Sequence, residues 1–280
     1  MSINEVTDLC VFKQQERSGW HAKAMHYDSH AGEITRTAVE ILLTAANVTA
    51  GTKLLDVACG PGYIAGYAGK LGAIATGIDF APGMVAEAKK NYPNVAFLEG
   101  DAEKLDFDDN TFDVVICAFG LLHFAEPDKA IAEAYRVLRP GGCYVFTVWS
   151  VPEKHDFFKI VLEAIKLHGT FDVSLPQAPS IFRFSDHEEC ENTLALTGFT
   201  EITVNELPLH WRPASPEELL SFLEKSSVRT AMVLERQSPE ALNKIHQWIL
   251  ESATQLKRDD FLHLDWPAVM AFGKKPQATG

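Results

Sequence analysis

Asp56, Asp79, Asp101 and His123 each follow an apolar run, where a chain leaving a strand could present them to a ligand. Asp56 closes the run begun by Leu54 and Leu55, and Gly60 and Gly62 follow it. Such a turn lets backbone approach a ligand without a Cβ in the way. Gly60, Gly62 and Ala65 fit the loose glycine-x-glycine-x-x-glycine/alanine pattern of dinucleotide sites. Charge argues against that use, because a pyrophosphate at the helix N-terminus would be repelled by Asp56. A ligand with ammonium and sulfonium groups would favour the carboxylate instead. Asp56 as a plain turn or helix cap stands as the other reading. Cys59, inside the turn, reads as a small residue tolerated near a ligand rather than a nucleophile.

Asp79 lies 19 residues beyond Gly60, about where a nucleotide-binding α/β fold puts the carboxylate that accepts from ribose hydroxyls. Asp101 and Glu103 follow the next apolar run; an acid there could accept from an adenine amino group or simply belong to a solvated loop. His123 stands just past the longest apolar run, beside Gly120. It could act as a base or only pack and orient its loop. His21 and His26 have no acidic partner at metal-site spacing, so they read as exposed or structural, and no metal is expected.

These residues need elements that bring them to one edge. Ile64, Tyr67, Ala68 and Leu71 predict a helix after the glycine turn, and Ile34, Ala38, Ile41, Leu42 and Ala45 predict one before it. Residues 73–80 read as a second strand, and Pro82 opens a helix with Met84, Val85 and Ala88 inward. Residues 94–105 hold a third strand, 112–119 a buried fourth, and Pro127 starts a helix that Arg139–Gly142 breaks before a fifth strand at 143–149. Strand–helix alternation of this kind predicts a parallel sheet with helices on both faces, and ligands bind beyond its strand carboxyl ends. Beyond Ser150, the sequence predicts a helix at 153–168, one capped by Ser185 and Glu188, a strand at 201–211, a second cap at Ser215–Glu218, helices to 257 and a closing strand at 264–275.

With 280 residues and 46% apolar content, the chain can bury a full core. A net charge of −13 argues against nucleic acid as partner. The N-terminus lacks a basic stretch followed by an apolar one, no run is long enough to span a membrane, and five scattered cysteines suggest reduced thiols. Together these predict a cytoplasmic protein; its oligomeric state is open.

The motifs DVACGPG (56–62), GIDFAPGM (77–84), GDAEKLDFDDNTFDVV (100–115), FGLLHF (119–124) and RVLRPGG (136–142) resemble, in order and spacing, class I S-adenosylmethionine-dependent methyltransferases. Within that superfamily they look most like the small-molecule branch that includes ubiquinone/menaquinone-biosynthesis methyltransferases. The resemblance is specific over roughly residues 30–150 and looser beyond. It implies a Rossmann-like, seven-stranded, mostly parallel sheet with the last strand inserted antiparallel, helices on both faces and a helical lid. Residues 1–30 would form a cap over the cofactor site, 31–150 the S-adenosylmethionine-binding core, and 151–280 the rest of the sheet with the substrate lid, all in one folded unit.

By the same resemblance, Ala58 to Gly62 would hold the methionine moiety of S-adenosyl-L-methionine, with Asp56 alongside. Asp79 would take the ribose hydroxyls, Phe80 and Met84 would line the adenine site, and Asp101 and Ala102 would read the adenine edge. Ala118 would offer a carbonyl to the ammonium, and Tyr27 would close over the cofactor. Ala58 departs from the glycine of many relatives and is tolerated if its φ stays negative. The Asn/Asp-Pro-Pro-Tyr/Phe run of methyltransferases acting on nucleic-acid amino groups is absent, and Cys117–Gly120 stand there.

Methyl transfer from a sulfonium is an in-line displacement, so holding acceptor and methyl in near-attack geometry supplies most of the catalysis. His123 is the candidate base. Phe157, Phe158, Phe182, Phe184, Trp211, Phe222 and Trp248 make the lid region apolar, and any that line the pocket imply a small apolar or aromatic acceptor. Two other readings remain. One is a protein that binds the cofactor for a non-methylating reaction or regulation. The other is a nicotinamide-dependent dehydrogenase, which needs Asp56 and Asp101 turned away from its cofactor.

Overall fold

The computed structural model describes residues 3–278. Its seven-stranded sheet is centred on β1 (Lys53–Val57), β4 (Phe112–Ala118) and β5 (Leu138–Trp149), whose side chains are buried almost without alternation. That pattern marks strands covered on both faces. With β2 (Ile74–Asp79), β3 (Ala96–Glu99), β6 (Thr200–Leu207) and β7 (Ala268–Lys274), the spatial order is β3-β2-β1-β4-β5-β7-β6. The first five pair in parallel, whereas β7 runs antiparallel between β5 and β6. The order reverses between β1 and β4, which opens a crevice at their carboxyl ends.

Helices α1 (Ile3–Lys23), α2 (Ala31–Thr35), α3 (Val39–Ala45), α4 (Tyr63–Lys70), α5 (Pro82–Asn91) and α6 (Pro127–Val137) accompany the first five strands. Those that follow are α7 (Asp156–His168), α8 (His187–Thr197), α9 (Glu217–Ser226), α10 (Arg229–Glu235) and α11 (Pro239–Thr254). One face of the sheet packs residues of α6 and α8, such as Ile131 and Leu194. The other packs Leu42 of α3 and Ile64 of α4. Helices α7, α9 and α11 build a separate aromatic core around Phe157, Phe222 and Trp266.

Several expected boundaries shift. The single helix expected from Ile34 to Ala45 is broken by a 3-10 turn at Arg36–Ala38, and Ile41 points outward. The hydroxyls of Thr35 and Thr37 bond back to the carbonyls of Ala31 and Ile34, a bonding mode that distorts helices. In α4 the buried face is Ile64, Ala65 and Ala68, while Tyr67 lies outside against Tyr92 with Lys70 over its ring. The cap of α8 is Asp186, whose carboxylate accepts from the Glu188 N–H; the Ser185 hydroxyl is already donated to the Trp149 carbonyl. At α9 the cap position is Pro216 and carries no side-chain bond. Strand β5 begins at Leu138, so Arg139–Gly142 belong to it and pass through a register break against β4. The strand expected over 201–211 is divided, because His210 and Trp211 pair with Leu264 and Asp265 in a separate ribbon.

Candidate active site

The chain leaving β1 turns through Ala58, Gly60 and Gly62, all at positive φ. A Cβ on Gly62 would lie 2.7 Å from the Phe97 ring, so this glycine permits close packing under the turn. At Gly60 no atom lies within 4 Å of where a Cβ would stand, and the residue faces the crevice. The Gly60 and Ala81 N–H groups donate to the two oxygens of Asp79 at 2.9 and 2.8 Å. That carboxylate is thereby fixed in the crevice wall, and burial pushes its pKa up to about 6. Ala58 corrects an expectation: its φ is +54°, not negative.

Asp56 sits elsewhere. Its carboxylate accepts the Ala65 N–H at 3.0 Å, is 1% exposed, and anchors the first turn of α4 outside the crevice wall. Burial raises its pKa to about 8, against the Ala65 bond, with the Asp79 charge adding to the rise. Of the two readings of Asp56, the helix anchor is the observed one. Tyr27, Ala58, Gly60, Asp79, Phe80 and Met84 line the crevice, as do Ala118 and His123 beyond β4. Asp101 and Ala102 line an extension that shares Ala58, Asp79 and Phe80 with it, while Gly62 lies behind the turn. Burial pushes the Tyr27 hydroxyl up to about 12 and the Cys59 thiol well above its ordinary value.

Glu16 is the residue that sequence reasoning missed. Phe12, Glu16 and Trp20 fall at i, i+4 and i+8 of α1 and are all buried. A glutamate on an apolar stripe was the available signal. His123 Nδ1 donates to Glu16 Oε2 at 2.8 Å, and Trp20 Nε1 donates to the same oxygen at 3.1 Å. A carboxylate only accepts, so this partner assigns a proton to Nδ1, and in the neutral ring the lone pair is on Nε2. The imidazole also packs edge-on against Trp20, with ring centroids 4.8 Å apart.

Helix α1 is held over the crevice by further contacts. Lys13 pairs with Asp101 and Glu103, and Arg17 donates to the Phe80 carbonyl and pairs with Glu99. Glu103 is structural, accepting the N–H groups of Ala125 and Glu126. Asp101 keeps a 40% exposed side chain and accepts the Glu103 N–H.

A second cavity adjoins the first through Trp20, Tyr27, Phe119 and His123, which line both. Its walls include Trp149, Phe157, Phe158, Phe222 and Trp266. Of the aromatic side chains expected in the lid, Phe182, Phe184, Trp211 and Trp248 pack in cores instead. Phe119 has a φ of +57°, unusual for a bulky residue, and its ring stacks on Trp149 at 4.1 Å.

The family described as "Methyltransferase domain" matches residues 55–146. A demethylmenaquinone methyltransferase of Chlorobaculum tepidum is 44% identical over 111 residues, covering 39% of this chain and 46% of its own length. A demethylmenaquinone methyltransferase of Paenarthrobacter aurescens is 32% identical over 182 residues, covering 62% of this chain and 72% of its own. The chain belongs to the class I S-adenosylmethionine-dependent methyltransferases. This methyltransferase chain spans about half the length of the first of those relatives. Among solved structures, it is similar to phosphoethanolamine N-methyltransferase 2 of Haemonchus contortus in complex with phosphomonomethylethanolamine and S-adenosylhomocysteine. That likeness has a TM-score of 0.53 at 25% identity, covering 86% of this chain and 53% of the other.

Proposed function

We propose that this methyltransferase transfers a methyl group from S-adenosylmethionine to a small apolar or aromatic molecule by in-line displacement. The observation that carries the reading is the position of His123, at the junction of the crevice that holds the Asp79 carboxylate and an aromatic cavity. The crevice fits the cofactor: Gly60 leaves space that any Cβ would fill, and Asp79 offers a fixed carboxylate there. Asp79 would accept from the ribose hydroxyls, Phe80 and Met84 would flank the adenine, and Asp101 and Ala102 would meet its edge. Ala58, Gly60 and the Ala118 carbonyl would face the methionine moiety, with Tyr27 closing over it. When bound, the cofactor supplies an electrophilic methyl on a sulfonium.

The protein's own contribution is orientation and proton removal. The aromatic walls would hold the acceptor and exclude water, and His123 Nε2 would take the acceptor's proton while Glu16 steadies the resulting imidazolium. The relatives are named demethylmenaquinone methyltransferases, which favours a quinol-like ring as acceptor. All five cysteines are free thiols, as suits the cytoplasm.

The first test is titration calorimetry of wild type and Asp79→Ala with S-adenosylhomocysteine and NADH. Micromolar binding of the former alone, lost in the variant, is the expected outcome; binding of NADH, or of neither, would refute the cofactor assignment. Methyl-labelled cofactor offered to quinols, phenols and amines, read by mass spectrometry, then tests transfer. Binding without transfer to any acceptor would favour a non-methylating cofactor protein.

A further inference from the structure

The aromatic cavity beyond His123 is lined by residues that carry polar atoms bonded to nothing in the protein. Among the described residues, six buried side-chain nitrogen or oxygen atoms lack a hydrogen-bond partner. Three of them, Ser226 Oγ, Arg229 Nη1 and Trp266 Nε1, belong to residues lining this one cavity. Ser226 and Trp266 are only 4% and 1% exposed. Buried polar groups are partnered as a rule, so three unpartnered groups at one cavity mark where a ligand would complete them.

The chemistry of that ligand follows from the donors. Arg229 Nη1 carries two N–H bonds, Trp266 Nε1 one, and the Ser226 hydroxyl a third kind of donor. A neutral carbonyl has too few lone pairs for this set, whereas an ionised carboxylate presents two oxygens with about four acceptor sites. The guanidinium is already positioned: Nη2 donates to the Pro176 carbonyl at 2.7 Å, and the group lies 5.6 Å from the Phe12 ring centroid. Burial lowers the Arg229 pKa from its ordinary value, opposed by the charge of Glu16. Phe12 and Glu16 are one helical turn apart, roughly 6 Å along α1, and Arg229, Glu16 and His123 all line this cavity.

We propose that the acceptor is an aromatic carboxylate, with its ring among Trp149, Phe157 and Phe222 and its carboxylate received by Arg229, Trp266 and Ser226. Arg229 is then a specificity-determining residue, while His123 faces the ring from the cofactor side. This inference rests on the reading of the cavity as the methyl-acceptor site.

The test compares 1-hydroxy-2-naphthoate with 1-naphthol, which differ by one carboxylate, by calorimetry in the presence of S-adenosylhomocysteine. Wild type is expected to bind the naphthoate at least tenfold tighter. Arg229→Met is expected to abolish that preference while still binding 1-naphthol, and Ser226→Ala to reduce it several-fold. If Arg229→Met does not fold, Ser226→Ala alone carries the test. Equal affinity of wild type for the two probes overturns the proposal, as does a preference that survives in both variants. Equal weakening of both probes by Arg229→Met also overturns it, because Arg229 would then act only through its bond to Pro176. If wild type binds S-adenosylhomocysteine but neither probe, the carboxylate subsite fails and the cofactor reading stands. If it does not bind S-adenosylhomocysteine, the cofactor reading fails as well.

Discussion

At the scale of single residues, the proposed roles of the Glu16–His123 pair and Asp79 let proton removal be tested apart from cofactor binding. Glu16→Gln keeps the side chain's size but removes its charge, so the imidazolium loses its counter-ion. We expect kcat to fall about a hundredfold, at the lower end of what general-base catalysis contributes, with S-adenosylhomocysteine affinity nearly unchanged. His123→Ala with full turnover at neutral pH would show that no base is needed there. Ala58 makes a different point. Left-handed backbone costs an alanine about 1–2 kcal/mol, and glycine returns part of that gain through its looser unfolded chain. Ala58→Gly should therefore raise the melting temperature modestly, by up to about 1 kcal/mol of stability. A lower melting temperature would mean that the alanine methyl, which a Cβ on Gly120 would approach to 2.7 Å, contributes packing that outweighs the strain.

At the scale of elements, α1 is fastened to the loops after β2 and β3 mainly by partly exposed ion pairs. Such pairs contribute about 0–1 kcal/mol each. The double variant Lys13→Ala, Arg17→Ala should speed hydrogen exchange in α1 and quicken S-adenosylhomocysteine release, leaving β1 and β4 amides as protected as before. Unchanged exchange in α1 would show that Phe12 and Trp20 alone hold it down. How far the sequence revealed this arrangement depends on the range of the interaction. Strand ends, the glycine turn and Asp79 follow from local pattern, since each is fixed by residues close in the chain or by the regular spacing of an α/β unit. Glu16 meets His123 across 107 residues, and no local periodicity encodes that meeting. Likewise Trp266 lines the aromatic cavity from just before β7, far from the motifs. The positive φ of Ala58 is not legible locally, because the path of the turn overrides the preference of an alanine for negative φ.

At the scale of the whole molecule, two buried carboxylates beneath one crevice make stability depend on pH. Asp56 and Asp79 have folded-state pKa values raised to about 8 and about 6. Groups raised in this way favour the folded state fully below their unfolded value near 3.8, and that contribution is lost as pH rises through the folded values. The unliganded protein should thus become less stable as pH rises from about 4 to 8. Asp56→Asn, whose amide oxygen can still accept the Ala65 N–H, should flatten that slope and raise the melting temperature at pH 8. An unaltered slope in thermal scans would assign the effect to other groups. Glu16 belongs to the helix that lies over the crevice. A sulfonium methyl is open to water as well as to its intended acceptor, and a poised base could activate either. On the proposed mechanism the carboxylate that supports the base belongs to α1, so the base would be complete only while that helix covers the site. Wasteful hydrolysis of the donor would thereby be discouraged by construction, without any residue devoted to preventing it.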